Sequence, residues 1–264
     1  MENLASILFL LFIGVGLKRI HAFPSDSAQT LNLFIIYVSL PAVILSQFPQ
    51  LEWGAQAIFP VVLSWVVLLF SALLVFLLSR ILTIQRKSLG ALYLLVPLGN
   101  TSFLGIPMVR QFFGDAGVPY ALLYDQLGSF LALGLYGSLI VSIFGMETQK
   151  FQWKNFLSKV LTFPPFITLI LASVGGEAPS FFKPLIEMLA KTLVPLAMIA
   201  VGMQLKIFMP KKSYPLALTG LALKLLIIPL AVLFGVHFLP LSMGFAEKVA
   251  IFETAMPPMI SAGA

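Results

Sequence analysis

The amino-acid sequence predicts an all-α integral membrane protein of ten spans, built as two inverted five-helix repeats with a broken fourth and ninth helix. Three observations lead there. The 264 residues are 59% hydrophobic and 10% charged, with mean hydropathy +1.02, against roughly 25% charged residues in a soluble domain. Nine stretches approach the roughly 20 apolar residues that a bilayer-crossing helix needs. Landmarks in the two halves also recur about 154 residues apart, as between Pro41 and Pro195.

The first stretch, 4–20, has no basic residue before it and is closed by Lys18 and Arg19. That polarity is the reverse of a cleavable signal peptide and suits a retained span with its amino terminus outside. The second, 30–48, carries Pro41, and the third, 57–79, holds no charge. The fourth, 89–113, is interrupted by Pro97, Gly99, Asn100, Thr101, Ser102, Gly105 and Pro107. The fifth, 118–144, contains Asp125, Gln126 and Ser129. A short sixth, 160–174, leads to the seventh, 184–208, with Pro195, and the eighth, 213–238, with Lys224. The ninth, 246–264, holds Glu253, Pro257 and Pro258.

Connections this short leave no room for a soluble domain. Residues 1–145 are expected to form the first repeat, 146–159 a cytoplasmic connecting loop, and 160–264 a second repeat. Five spans per repeat is odd, so the second copy enters the membrane with opposite polarity, as in inverted-repeat transporters. By the same spacing the rest of the ninth helix and a tenth span are expected beyond residue 264.

The net charge of +6 is spread among the loops, which argues against a nucleic-acid partner. Lys18, Arg19, Arg80, Arg86, Lys87, Lys150, Lys154, Lys159, Lys206, Lys211 and Lys212 flank the odd loops. Only Arg110, Lys183 and Lys248 flank the even ones. Basic residues in short loops stay on the cytoplasmic side, so a multi-pass protein of the cell (inner) membrane with its amino terminus outside is expected. Trp153, among the lysines of the fifth loop, fits an interfacial anchor. Cysteine is absent, which excludes disulfides and thiolate metal sites.

The breaks carry the functional expectation. Proline removes a backbone donor and glycine weakens a helix. Unwound backbone at membrane depth is tolerated only where protein or a water-filled cavity satisfies it. Two interrupted spans at matching places point to a transporter's central site, where half-helix amino termini face an anion and freed carbonyls a cation. Ionisable groups inside a span cost roughly 2.5–3.5 kcal/mol each at its centre, so Glu253 is expected to hold sodium or carry a proton. Lys224 is expected to offset an anionic substrate or to pair with Glu253. Asp125, Gln126 and Ser129 are expected as polar support near the Asn100 break, and Pro41 and Pro195 as hinge or packing residues. Glu187 and Lys191, four apart, read as a helix-surface pair, and His21 and His237 carry no expected role.

No GxxxxGK[ST], HExxH or GxSxG motif is present, which speaks against ATP as direct energy source and against an intramembrane enzyme. A secondary carrier without a cofactor, coupled to sodium or protons, is the leading expectation; a channel or a membrane sensor on a transporter fold is the alternative. A homodimer is left open.

The ordered set YVSLPAVILSQF, PLGNTSFLGIP, YDQLGSF, VPLAMIAVGMQL, KLLIIP and ETAMPP covers the whole sequence and resembles the auxin efflux carrier family, within the bile acid:sodium symporter superfamily. The resemblance implies ten spans in two inverted repeats, with the broken fourth and ninth helices crossing at the membrane centre beside the substrate. It implies a small organic anion such as malate, malonate or an auxin-like acid. It also places Asn100 with its neighbours and Pro257-Pro258 at the crossover, and a sodium ion, as in sodium-coupled relatives, on Glu253. The short fifth loop resembles compact bacterial members.

Overall fold

The computed structural model describes residues 2–51, 53–145, 152–205, 211–238 and 243–259. Lys150, Lys206 and the end of the expected ninth span, 260–264, lie outside the described residues. Among the described residues the chain is helical throughout, with no β-strand. In order the helices are α1 (Glu2–Leu17), α2 (Ser27–Phe34), α3 (Leu40–Gln47), α4 (Ala55–Ile81), α5 (Arg86–Leu95), α6 (Ile106–Phe113), α7 (Val118–Leu123) and α8 (Ser138–Phe144). They continue as α9 (Trp153–Thr162), α10 (Pro164–Gly175), α11 (Lys183–Lys191), α12 (Leu193–Gln204), α13 (Tyr214–Ala222), α14 (Ile228–His237) and α15 (Phe245–Thr254).

Five continuous helical runs are long and apolar enough to cross a membrane: Ser27–Gln50, Ala55–Ile81, Asp115–Phe144, Lys183–Gln204 and Tyr214–His237. A sixth is added if α9 and α10, bent by 63°, count as one. Each coincides with an expected stretch. The other expected spans fall short of that test for identifiable reasons: α1 has a short apolar part, Ala5–Leu17, the fourth is broken between α5 and α6, and in the ninth α15 ends at Thr254, ahead of an unwound segment. Side chains such as Phe9, Leu69, Leu73 and Phe234 are exposed, as a bilayer-embedded surface requires. The chain is an integral, multi-pass membrane protein.

Wide π-turns interrupt several spans, at Ile35–Ser39, Thr101–Gly105, Tyr124–Phe130, Leu133–Gly137 and Leu223–Ile227. Three have a visible cause. Pro41, Pro107 and Pro229 follow the first, second and last of them by two residues, and a proline ring clashes with the carbonyl four residues earlier. One extra residue in the preceding turn moves that carbonyl aside.

Two compact units emerge, each drawing on both halves of the chain. The first comprises Met1–Leu51, Ser102–Leu122 and Leu161–Met209. Here α1 lies along α12, and α3 packs on α10 and α11. Gly14 and Gly202 form the closest part of the α1–α12 contact. A Cβ on Gly14 would stand 2.2 Å from the Ile199 carbonyl oxygen, and one on Gly202 would stand 2.1 Å from that of Leu11. Small residues allow backbones to approach like this in a membrane. Lys18 donates to the Leu205 carbonyl at 2.8 Å, satisfying the carboxyl end of α12. The Thr192 hydroxyl donates to the Leu189 carbonyl at 2.6 Å, so in the 2.7 Å contact between Ser39 and Thr192 the Ser39 hydroxyl is the donor. Ser39 and Thr192 sit two and three residues before Pro41 and Pro195, the landmarks of the 154-residue spacing.

The second unit comprises Glu52–Thr101, Leu123–Val160 and Pro210–Ala264. The long helix α4 is its spine and packs on α15 and on the Tyr124–Phe130 turn, while α5 packs on α8 and α14 on α15. Leu63, Val67, Val75, Leu92, Val96, Tyr124, Leu223, Ile228 and Ala250 form its apolar core. Trp65 donates its indole N–H to the Leu127 carbonyl at 3.0 Å, a group that the π-turn leaves available.

Candidate functional site

The two breaks expected from sequence meet inside the second unit. After α5 the chain unwinds at Pro97, and after α15 it unwinds through Met256 to Met259. The freed backbones run antiparallel. Asn100 donates its N–H to the Pro257 carbonyl at 2.7 Å, and Met259 donates to the Leu98 carbonyl at 2.9 Å. Gly99 and Pro258 face each other between these bonds. In an antiparallel ladder this is the non-hydrogen-bonded position, where neither residue needs its N–H for the pair and side chains approach most closely. Proline therefore fits at 258 at no cost to the pairing, and glycine at 99 leaves space above the strand.

Lys224 fills that space. Its Nζ lies 3.2 Å from where a Cβ on Gly99 would be. Lys224 belongs to the Leu223–Ile227 π-turn and is 2% exposed. Glu253, in the last turn of α15, is 0% exposed, and neither of its carboxylate oxygens has a hydrogen-bond partner among the described residues. No ion pair within 4 Å joins Lys224 to Glu253 among the described residues. Instead both line one small cavity of about 10 Å³, together with Gly99, Thr101, Tyr124 and Ser129. That volume holds about one water-sized sphere, so an organic anion has no room in this conformation.

Asp125 organises the polar side. Thr101 Oγ1 donates to Asp125 Oδ1 at 2.5 Å, and Gln126 Nε2 donates to Asp125 Oδ2 at 2.6 Å. Asp125 and Gln126 sit on consecutive positions of the Tyr124–Phe130 π-turn and both are buried. The turn itself is pressed against α4: a Cβ on Gly128 would stand 2.0 Å from Ser64 Oγ. Gln126 Oε1 has no hydrogen-bond partner among the described residues. Buried polar atoms left so are costly and call for an explanation.

Of the residues expected from sequence, Gly99, Asn100, Thr101, Asp125, Gln126, Ser129, Lys224, Glu253, Pro257 and Pro258 all fall in this unit. Ser102, Gly105 and Pro107 belong to the other unit, where the chain rewinds into α6, and they do not line the cavity. Pro41 and Pro195 also belong to the first unit, in α3 and α12. Ser64 and Tyr124 line the cavity without having been expected. Ser64 donates to its own helix at Val61, and a lone serine in an apolar span gives no signal that separates the two uses.

A buried crossing of two unwound chain segments, edged by a lysine and a glutamate, matches the irregular backbone that membrane transporters keep around a central site. A family model described as "Membrane transport protein" matches residues 1–264. The chain belongs to this family. It is the one that includes the auxin efflux carriers, as the sequence resemblance implies. An uncharacterized transporter of Methanocaldococcus jannaschii is 29% identical over 269 residues, covering 97% of this chain and 85% of that protein. An uncharacterized transporter of Methanothermobacter thermautotrophicus is 25% identical over 261 residues, covering 97% and 84%. Both relatives are archaeal rather than bacterial. Family and relatives point to transport, not catalysis.

Proposed function

We propose that this member of the family is a secondary active transporter of a small organic anion, of the malate, malonate or auxin-like acid class, working by alternating access around the crossed breaks. One observation carries this: the Gly99–Pro258 pairing, with Lys224 packed on the glycine and Glu253 beside it. Lys224 supplies a buried positive charge for a carboxylate, and Asn100, buried in the unwound segment, supplies a polar side chain. Glu253, with two carboxylate oxygens lacking hydrogen-bond partners, suits a coupling proton or a sodium ion. Gln126 Oε1 is a further oxygen without a hydrogen-bond partner in the same unit.

The same reading takes the chain as two inverted repeats of a ten-span plan. Support comes from the pairs that touch: Ser39 with Thr192 are 153 residues apart, and Gly99 with Pro258 lie near the same spacing. The amino terminus is taken as outside the cell membrane, on the asymmetry of loop lysines and arginines.

Purified protein in liposomes is expected to accumulate a labelled dicarboxylate or auxin-like acid under an imposed sodium or proton gradient. Asn100→Ala and Glu253→Gln are each expected to cut uptake at unchanged expression. Wild-type uptake in both variants would move the site elsewhere, and no uptake of any acid under either gradient would overturn the proposal. Flux that never exceeds the gradient would favour the channel alternative.

A further inference from the structure

Helix α9 is amphipathic in a way the rest of the protein does not use. At about 100° per residue, Phe156, Val160, Trp153, Leu157 and Leu161 form one continuous apolar arc, and Lys154, Ser158, Thr162, Asn155 and Lys159 form the opposite one. The apolar arc is divided. Phe156 packs into the space above Gly134, its ring edge 2.6 Å from a Cβ built there, and Val160 is buried. Trp153, Leu157 and Leu161, at steps of four, are 64%, 51% and 59% exposed.

The chain then bends by 63° into the apolar helix α10, because Pro164 and Pro165 start a new helix and hold Phe163 extended. Helix α9 thus leads directly into an apolar segment of a multi-pass membrane protein. Between Lys150 and Phe163 the sequence has three lysines and no acidic residue. An exposed apolar stripe beside a basic polar face at the bilayer boundary is the pattern of a helix seated among lipid headgroups.

We propose that α9 is an interfacial helix that inserts Trp153, Leu157 and Leu161 at the headgroup–acyl boundary and binds anionic phospholipid with its lysine-bearing face. The membrane is the occupant favoured over a protein partner, because α9 runs directly into the apolar α10 and its lysines complement anionic headgroups.

The absence of cysteine makes a direct test possible. Leu157→Cys and Asn155→Cys each give a single spin-label position, on opposite arcs, in the full chain reconstituted into phosphatidylcholine with or without phosphatidylglycerol. The label at 157 is expected to be reached by oxygen and shielded from a water-soluble nickel chelate, with the reverse at 155. Spin-labelled phosphatidylglycerol is expected to associate with the wild type in preference to phosphatidylcholine. The double substitution Lys154→Gln, Lys159→Gln is expected to reduce that preference by roughly fivefold per lysine at the helix, with an unchanged thermal melt. Nickel access at 157 equal to that at 155 overturns the inference. So does a label at 157 shielded from both reagents, which would mean protein covers the stripe, or an undiminished lipid preference in the double variant.

Discussion

Replacing Gly14 with alanine tests how closely α1 and α12 are pressed together. The new Cβ would sit 2.2 Å from the Ile199 carbonyl oxygen and 3.0 Å from the Gly202 Cα, where ordinary contact begins near 3.4 Å. Both neighbours are backbone, so no side chain can swing away and the helices must part by about 1 Å. Overpacking of this kind costs about 1–3 kcal/mol. Removing a mid-helix glycine returns about 0.5–1 kcal/mol, leaving a net loss of up to about 2.5 kcal/mol. For a chain of this size each kcal/mol moves the melting point by roughly 2–4 °C, so a drop of up to roughly 10 °C is expected in detergent. Gly16 on the same helix is the control, because a Cβ there meets nothing within 4 Å. Gly16→Ala is expected to be neutral or slightly stabilising. Equal melting points for the two variants would refute the close-packed crossing.

Three further outcomes follow from the geometry. Gly128→Ala is expected to cost about 1–3 kcal/mol and to be rescued in thermal melts by Ser64→Gly but not Ser64→Ala, because Ser64 Cβ itself would lie 2.4 Å from the new methyl. Ser39→Ala and Thr192→Ala in a double-mutant cycle should show a coupling of about 0.6 kcal/mol, the usual worth of an interhelical hydrogen bond in a membrane; zero coupling would remove that contact from the packing of the Ile35–Ser39 turn on the α11–α12 junction. Gly99→Ala places a methyl 3.2 Å from Lys224 Nζ, which the flexible side chain can accommodate at little cost in melting point. Uptake is nevertheless expected to show a raised KM, and an unchanged KM would separate Lys224 from the substrate.

The breaks were legible in the sequence because their chemistry is unusual for a span: Pro97 with Gly99, and Pro257 with Pro258, have few other uses at membrane depth. Glu253, Lys224 and Asp125 were legible for the same reason, since buried charge is rare without purpose. What could not be read was which groups meet. Lys224 and Gly99 are brought together by the pairing of two distant segments, and no local pattern encodes that. The π-turn over Tyr124–Phe130 was also hidden; it contains no proline, and its nearest visible correlate is the close approach of Gly128 to Ser64 on another helix. Helix α9 straddles the expected connecting loop and the start of the expected sixth span, and of its exposed apolar residues only Trp153 was legible as an interfacial anchor. The spacing of Trp153, Leu157 and Leu161 was the signal available. The compact units illustrate the same limit: a 154-residue spacing suggests two halves, whereas spatial packing assembles each unit from pieces of both.

The crossing of the two breaks is made by main-chain groups, Asn100 with Pro257 and Met259 with Leu98. Changes at neighbouring side chains therefore leave its hydrogen bonds in place. Such a centre can be retuned toward a different solute by exchanging one or two residues around it, in the way a lathe accepts new cutting bits while its bed stays bolted down.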